Sequence, residues 1–270
     1  MRFSPLTLAV AVLSIFLSSP AWGQQWSDSP EVAAVFKKAG IDGCFVFYDL
    51  QNNRLTGFNQ KRAETRYIPA STFKAVNSVI GLSVGAVADV DTPLPYGGQP
   101  QSMKEWEKDM GLREAIKVSN VPIYQELARR IGLEKMKEEV KKMGYGNGQI
   151  GDKVDRFWLD GPLAISAVEQ ARLMARLAGM DLPQSRAAQA QTREIMLRDY
   201  GSGWSLYAKT GTALARKPGV AWLVGWIEKE GRIYPFAMNL EVTGSDWLIK
   251  ERMDLTMAGF KALGIIDQAP

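Results

Sequence analysis

A serine and a lysine three residues apart are the first residues in the sequence whose types and spacing could do chemistry. Ser71 and Lys74 lie in the segment PASTFK, residues 69–74. If a helix begins at or just after Pro69, positions i and i+3 share a face, so the lysine amine can reach the serine hydroxyl. Ser71 would then lie at the helix N-terminus, where free backbone N–H groups stabilise a developing oxyanion. The pair predicts a nucleophile with a lysine base, although a chain of this length contains about one Ser-x-x-Lys by chance.

The residue counts narrow the chemistry further. The sequence contains no histidine and a single cysteine, Cys44. A Ser-His-Asp triad and the usual histidine or thiolate zinc sites are therefore excluded, and we expect no metal. Apolar neighbours of Lys74 predict a lowered amine pKa, which suits a base. Cys44 lies in an apolar strand-like segment, so we expect a buried and unreactive thiol.

Two further segments contain residues that could complete such a site. Lys209-Thr210-Gly211 lies in the alternating segment LYAKTGTA, which predicts a strand with Lys209 and Gly211 on one face. Lys209 would supply a cation, and Gly211 would let a substrate backbone lie close to the strand. Ser119, in KVSNVP, could relay a proton between the nucleophile and a leaving group. It could also simply cap the helix that follows, and by itself the serine is more typical of a cap.

The elements that must position these residues follow from hydrophobic periodicity. Alternating segments near both chain ends predict strands, residues 64–162 have the pattern of helices and loops, and Ser166 to Glu169 form a predicted capping box. Runs of neighbouring strands favour antiparallel pairing. We therefore expect an α+β fold, an α/β sandwich with one antiparallel sheet built from residues 24–63 and 163–270. Terminal helices would cover this sheet, and the helical region 64–162 would be inserted into it.

The N-terminal residues 1–23 have the pattern of a cleavable secretory signal. Arg2 precedes an apolar run from Leu6 to Leu17, and Ala21-Trp22-Gly23 offers a cleavage site. The run has about a dozen residues, whereas a membrane-spanning helix needs roughly 20. We expect an exported, periplasmic protein without stable membrane insertion; an uncleaved anchor is the less favoured alternative.

The charge distribution bears on possible partners. The net charge is +4, and acidic and basic residues alternate in segments such as EKMKEEVKK at 134–142. This alternation is typical of a solvated helix face, so nucleic-acid binding is not indicated. The oligomeric state cannot be predicted from this pattern.

The order of the three motifs is more specific than any one of them. Ser-x-x-Lys, then Ser119-Asn120-Val121, then Lys-Thr-Gly is the trio of penicillin-binding proteins and serine β-lactamases. Within that group, the mature chain resembles the class D, oxacillinase-type, β-lactamases over essentially its whole length. The resemblance rests on PASTFK, the Ser-x-Val form at 119–121, Tyr145-Gly146-Asn147, Trp158 in RFWLDGPL, and PGVAWLVGW after the Lys-Thr-Gly strand.

The resemblance implies the fold of the serine β-lactamases and penicillin-binding proteins, and a particular base. In the family the lysine of the first motif is carboxylated by CO2, so Lys74 is expected to be N6-carboxylysine and to need no other cofactor than CO2 or bicarbonate. It would act as general base for acylation of Ser71 and for deacylation. The indole N–H of Trp158 would donate to the carbamate, and Val121 would lie beside it as an apolar wall.

The remaining roles also follow from the resemblance. Backbone N–H groups of Ser71 and Thr212 would form the oxyanion hole, and Ser119 with Lys209 would pass the proton to the lactam nitrogen. The substrate carboxylate would be held by Thr210, Lys209 and Arg252, with Lys250 as a rival to Arg252 and an ordinary surface charge as the alternative for Arg252. Many family members carry an aromatic residue where this chain has Thr212. The substrate range, including carbapenems, therefore stays open.

The implied activity is hydrolysis of the β-lactam amide bond of penicillin-type antibiotics through a Ser71 acyl-enzyme, and hence antibiotic resistance. A penicillin-binding sensor or transpeptidase that is acylated without turnover is the nearest alternative, because the fold and the motifs are shared. An inactive scaffold kept for binding is a third, less favoured alternative, since all three motifs are intact.

Overall fold

Strands from both ends of the chain form one seven-stranded sheet in the computed structural model, which describes residues 25–201, 203–215, 217–243 and 247–267. The predicted signal at 1–23 lies outside these residues. The strands are β1 (Gln25–Asp28), β2 (Gly43–Asp49), β3 (Arg54–Phe58), β4 (Leu197–Gly201), β5 (Trp204–Ala213), β6 (Gly219–Lys229) and β7 (Arg232–Val242). Their spatial order is β1-β3-β2-β7-β6-β5-β4. The sheet thus joins the two chain ends, as predicted.

Helices lie on both sides of this sheet. They are α1 (Pro30–Ala39), α2 (Gln60–Glu64), α3 (Phe73–Ser83), α4 (Leu112–Lys117), α5 (Val121–Ile131), α6 (Leu133–Met143), α7 (Ala167–Ala178), α8 (Arg186–Ile195) and α9 (Trp247–Ala262). Helices α1 and α9 cover one face, where Phe36 and Phe260 belong to the core. Helix α7 packs on the opposite face, and α3 packs against α4, α5 and α8. No helix within the described ranges is long and apolar enough to cross a membrane.

The predicted antiparallel pairing is correct for β2 to β7 and wrong for β1. Strand β1 pairs parallel with β3, with Gln25 opposite Arg54, so the sheet is mixed. Helix α1 separates β1 from β2 in the chain, and such a crossover is what a parallel arrangement requires. The prediction missed β1 because its four residues are partly exposed and show no alternation of buried and exposed positions.

Capping residues define the helix boundaries. The predicted capping box is present at the start of α7, where the Ser166 hydroxyl accepts from the backbone N–H of Glu169 and the Glu169 carboxylate accepts from that of Ser166. Gly40 and Gly144 end α1 and α6 in the left-handed conformation that glycine adopts without strain. Ser185 caps α8, a single helix of ten residues.

Cys44, the only cysteine in the sequence, lies on β2 and is fully buried. Burial raises the pKa of its thiol to about 12. The thiolate, which is the reactive form, is therefore scarcely populated at neutral pH. The burial and the raised pKa agree with the prediction of a buried, unreactive thiol.

Candidate active site

Ser71 lies in a 3-10 turn, Ala70–Thr72, that runs directly into α3. The turn is held on both sides, because the Thr72 hydroxyl donates to the Pro69 carbonyl at 2.8 Å and accepts from Gln170 Nε2 at 2.8 Å. Ala70, just before the serine, has a φ of 50°, a left-handed conformation that is unusual for a residue with a side chain. A strained turn just before the serine, pinned by neighbours, is typical of a functional site.

Lys74 lies in the first turn of α3 and contacts Ser71, as the spacing predicts. Its Nζ donates to Ser71 Oγ at 2.7 Å, and the side chain is fully buried. Burial lowers the pKa of the amine to about 7, since no counter-charge offsets the loss of water. A substantial fraction of Lys74 is therefore neutral at physiological pH and able to accept the serine proton.

An aromatic cluster packs beside α3 and contains an unsatisfied donor. Trp158 is fully buried, stacks on Phe73 at a ring-centroid distance of 5.6 Å and meets Phe157 edge-on at 4.9 Å. Within the described ranges, the indole Nε1 of Trp158 has no hydrogen-bond partner. A buried donor without an acceptor costs about 1–3 kcal/mol. The orphaned N–H therefore indicates that a further acceptor belongs in this pocket.

The Tyr145-Gly146-Asn147 motif fastens the loop that carries Trp158. Asn147 Nδ2 donates to the Pro162 carbonyl at 2.9 Å, and Asn147 Oδ1 accepts from the Ala164 N–H at 3.0 Å. Gly146 has a φ of 51°, and a Cβ there would lie 2.1 Å from the Ala164 carbonyl oxygen, so only glycine fits. The motif therefore acts by positioning the segment that leads from Trp158 to Ala164.

Ser119 and Lys209 meet across the cleft. Lys209 Nζ donates to Ser119 Oγ at 3.0 Å and to the Thr210 carbonyl at 2.9 Å. The helix-cap alternative for Ser119 is wrong, because the cap of α5 is Asn120, whose side chain accepts from the Ile123 N–H at 3.0 Å. Ser119 adopts a φ of 56°, which turns it out of the helix start and towards the lysine. The fully buried Lys209 has a pKa well below its ordinary value because of burial and then of the neighbouring cations.

Strand β5 lies directly against the nucleophile turn. A Cβ at Gly211 would lie 2.8 Å from the Pro69 carbonyl oxygen and 2.9 Å from Thr72 Cγ2. Glycine is therefore needed at this position so that the protein's own turn can approach. The approach sets β5 against the turn that carries Ser71. That Gly211 also lets a substrate backbone lie close to the strand stays a prediction. That Ser71 and Thr212 donate their backbone N–H groups to an oxyanion stays a prediction.

Arg252 reaches β5 from α9. Its Nη1 donates to Thr212 Oγ1 at 3.0 Å and to the Gly211 carbonyl at 3.4 Å. The side chain of its rival, Lys250, lies outside the described residues. Val121 opens α5 and is half-buried; its place beside a carbamate stays a prediction, as does the carboxylate-binding role of Thr210. Across the described ranges, no group of three or more Cys, Asp or Glu side chains is arranged to hold a metal ion.

Comparisons with known proteins agree with this geometry. A family model described as the penicillin binding protein transpeptidase domain matches residues 43–256. Beta-lactamase OXA-5 of Pseudomonas aeruginosa is 38% identical over 87% of this chain and 90% of its own. Beta-lactamase OXA-48 of Klebsiella pneumoniae is 36% identical over 92% and 93% of the two chains.

A solved structure gives the same result in three dimensions. FUS-1 (OXA-85), a class D β-lactamase from Fusobacterium nucleatum subsp. polymorphum, matches with a TM-score of 0.85 and 39% identity, over 89% of this chain and 100% of that chain. A class D β-lactamase from Nostoc, YbXI, matches with a TM-score of 0.84 and 34% identity. The strained serine turn, the buried lysine and the Ser119–Lys209 contact are therefore set in the fold these proteins share, and the chain belongs to the class D family of β-lactamases.

Proposed function

We propose that this protein hydrolyses the β-lactam amide bond of penicillin-type antibiotics through an acyl-enzyme on Ser71, with carboxylated Lys74 as the general base. One observation carries the proposal. The fully buried Lys74 amine lies 2.7 Å from Ser71 Oγ, at the N-terminal end of a helix in a fold shared with β-lactamases. A nucleophile and its base within hydrogen-bond reach are what acyl transfer requires.

Acylation begins when Lys74 takes the hydroxyl proton of Ser71. The serine oxygen forms a bond to the lactam carbonyl carbon, and the carbon–nitrogen bond of the four-membered ring then breaks. Lys209 and Ser119, in contact at 3.0 Å, pass a proton to the departing nitrogen. In deacylation, Lys74 takes a proton from water, the water oxygen attacks the ester carbon, and Ser71 leaves with a proton returned to it.

Carboxylation of Lys74 is supported by two features of its surroundings. Only a neutral amine reacts with CO2, and burial already lowers the pKa of this amine to about 7. The modified side chain would be an anion that supplies oxygen atoms as the basic site. Such an anion needs hydrogen-bond donors. The Trp158 indole N–H is a buried donor without a partner among the described residues, and its ring stacks on Phe73, the residue next to Lys74.

The same proposal includes export. Residues 1–23 have the pattern of a cleaved secretory signal, which would deliver the mature enzyme to the periplasm, where β-lactams meet their targets. N-terminal sequencing of the protein recovered from a periplasmic fraction tests this part. A start near Gln24 is the expected result, whereas an intact N-terminus in the membrane fraction would contradict it.

Steady-state hydrolysis of a chromogenic cephalosporin by the purified mature chain tests the activity. Sustained turnover that rises with added bicarbonate is the expected result, because CO2 loading of Lys74 would limit the active fraction. A single stoichiometric burst, unmoved by bicarbonate, would instead identify a penicillin-binding protein that is acylated and stops. If a fluorescent penicillin failed to label Ser71, the inactive scaffold kept for binding would be the one alternative that remains.

The activity should decline as the pH falls through about 7, the pKa of Lys74. Below that pKa the amine is an ammonium ion, which neither accepts the serine proton nor reacts with CO2; above it, the base is available. The measurement is kcat/KM against pH at a fixed, sub-saturating concentration of dissolved CO2, with circular dichroism at each pH to exclude unfolding. A flat profile far into the acid range would contradict the assignment of Lys74 as base.

A further inference from the structure

Arg198 lies at an irregularity of the edge strand that flanks the cleft. Leu197 of β4 pairs with Tyr207 of β5, but Asp199 pairs with Leu206, so Arg198 is the extra residue of a β-bulge. Bulges are frequent beside active sites, where they redirect a side chain. This one sends the Arg198 guanidinium across to α4, where Nη1 donates to the Lys117 carbonyl at 3.3 Å. Through this hydrogen bond Arg198 contacts the last residue of α4, two positions before Ser119.

Arg198 lies near two further cationic side chains of the site. Lys209 lies on β5 and Arg252 on α9, whereas Lys74 on α3 would be an anion once carboxylated. The pKa of Lys209 is lowered by burial and then by Lys74, Arg198 and Arg252, while burial and then Arg198 lower that of Arg252 to about 10. Packed atoms around the guanidinium also lower the pKa of Arg198, although its side chain keeps access to solvent. Arg198, Lys209 and Arg252 are thus close enough to influence one another's charge.

The hydrogen bonds of these three side chains go to hydroxyl and carbonyl oxygens, on Ser119, Thr210, Gly211, Thr212 and Lys117. Other arginines form ion pairs; Arg113, for example, bonds both Asp91 and Glu194. Three neighbouring cations, of which a carbamate on Lys74 would offset one, favour an anionic ligand.

The cluster has more capacity than one carboxylate uses. A guanidinium has five N–H donors in a planar fork that fits a carboxylate or sulfonate. Arg198 uses one of them for the hydrogen bond to the Lys117 carbonyl. The expected site for the ring carboxylate already has Thr210, Lys209 and Arg252. Arg198 therefore adds a donor group that the ring carboxylate does not need.

We propose that Arg198, together with Lys209, forms a second anion subsite, which selects β-lactams that carry a negative charge in addition to their ring carboxylate. The proposal rests on the proposed function and deepens it. Strand β4 pairs with residues 204–207 of β5, so Arg198 lies on the side of Lys209 away from Thr212 and the expected oxyanion hole. The second charge therefore belongs on the substituent next to the ring carboxylate, which in a cephalosporin is the C3 substituent.

A matched pair of cephalosporins tests the subsite. The two compounds differ only in whether the C3 substituent ends in a carboxylate or in its neutral amide. The second-order rate of Ser71 acylation is measured by rapid-quench mass spectrometry, which is defined both for a hydrolase and for a protein that is acylated and stops. The ratio of the two rates reports the subsite, independently of effects common to both compounds.

We compare the wild type with Arg198→Gln, Arg198→Lys and the control Arg54→Gln. Glutamine can still donate to the Lys117 carbonyl but lacks the charge, so we expect the dianion/monoanion ratio to fall about fivefold. Lysine should largely preserve the ratio. Arg54 is exposed on β3, in the opposite half of the sheet, and its replacement should leave the ratio unchanged. In the wild type the ratio should also decrease with ionic strength.

Two results would overturn the proposal. An unchanged ratio in Arg198→Gln, with or without an equal loss of acylation with both compounds, would mean that Arg198 only holds the Lys117 carbonyl. A Ser71 adduct without turnover would refute hydrolysis alone and still give the ratio. Complete absence of the adduct in the wild type would refute both the proposed function and the subsite.

Discussion

Replacing Lys74 with alanine is expected to remove β-lactam turnover almost completely. The Lys74 amine lies within 2.7 Å of the nucleophile, and the mechanism uses it as base in both half-reactions. Loss of a positioned general base typically costs about 10²–10⁴-fold in rate. Acylation should therefore become slow and deacylation negligible, so the Ser71 adduct should persist. Kinetics with a chromogenic cephalosporin and the intact mass after exposure to a penicillin measure the two effects separately.

The control for this variant is Lys153→Ala. Lys153 is exposed and has no role in the proposed mechanism, so its loss should leave hydrolysis unchanged. Lys74→Ala removes a buried ionisable side chain from the interior, and thermal unfolding followed by circular dichroism verifies that the variant is folded. An unchanged hydrolysis rate in folded Lys74→Ala would refute the assignment of the base, whatever the state of carboxylation.

Trp158→Phe should weaken the retention of CO2 while leaving the aromatic packing nearly intact. Phenylalanine preserves a ring to stack on Phe73 but removes the indole N–H, which has no partner among the described residues. A hydrogen bond to a charged group contributes about 1.5–3 kcal/mol, so the affinity of Lys74 for CO2 should fall about 10–100-fold. Activity at ambient CO2 should drop accordingly, and bicarbonate should partly restore it. The bicarbonate concentration for half-maximal activity is the quantity to measure.

Trp26→Phe is the matched control for that variant. The Trp26 indole donates to Asp28 at 2.8 Å near the surface, far from the chemistry, so the bicarbonate midpoint should not move. A ¹³C signal from labelled carbamate, strong in the wild type and weaker in Trp158→Phe, provides a readout that does not depend on turnover. An identical midpoint in Trp158→Phe and wild type would show that the indole N–H serves another acceptor.

Local signals in the sequence predicted those parts of the fold that depend on neighbouring residues. The capping box at Ser166 starts α7, and Gly40 and Gly144 end their helices, because capping is decided by residues within one turn. The parallel strand β1 was missed for the opposite reason. Its pairing with β3 is set by the path of α1 across the sheet, which four partly exposed residues do not reveal.

The candidate site divides in the same way. The Ser71–Lys74 contact follows from helical spacing and was predictable, whereas the Ser119–Lys209 contact joins residues 90 positions apart. Ser119 could therefore be distinguished from a helix cap only once Lys209 of β5 was placed beside the segment that precedes α5. No sequence pattern indicated a role for Arg198, because the direction of its side chain depends on a β-bulge that exists only in the pairing of β4 with β5.

Because Cys44 is fully buried, we expect the folded protein not to react with thiol reagents. No other cysteine occurs in the chain, and Cys44 is buried on β2 with a thiol pKa of about 12. A cysteine introduced on the surface would therefore be the only site that maleimide dyes or spin labels reach. Placed at Lys153, in the segment before Trp158, such a label would report whether the surroundings of that segment change during acylation, without any prior removal of background thiols.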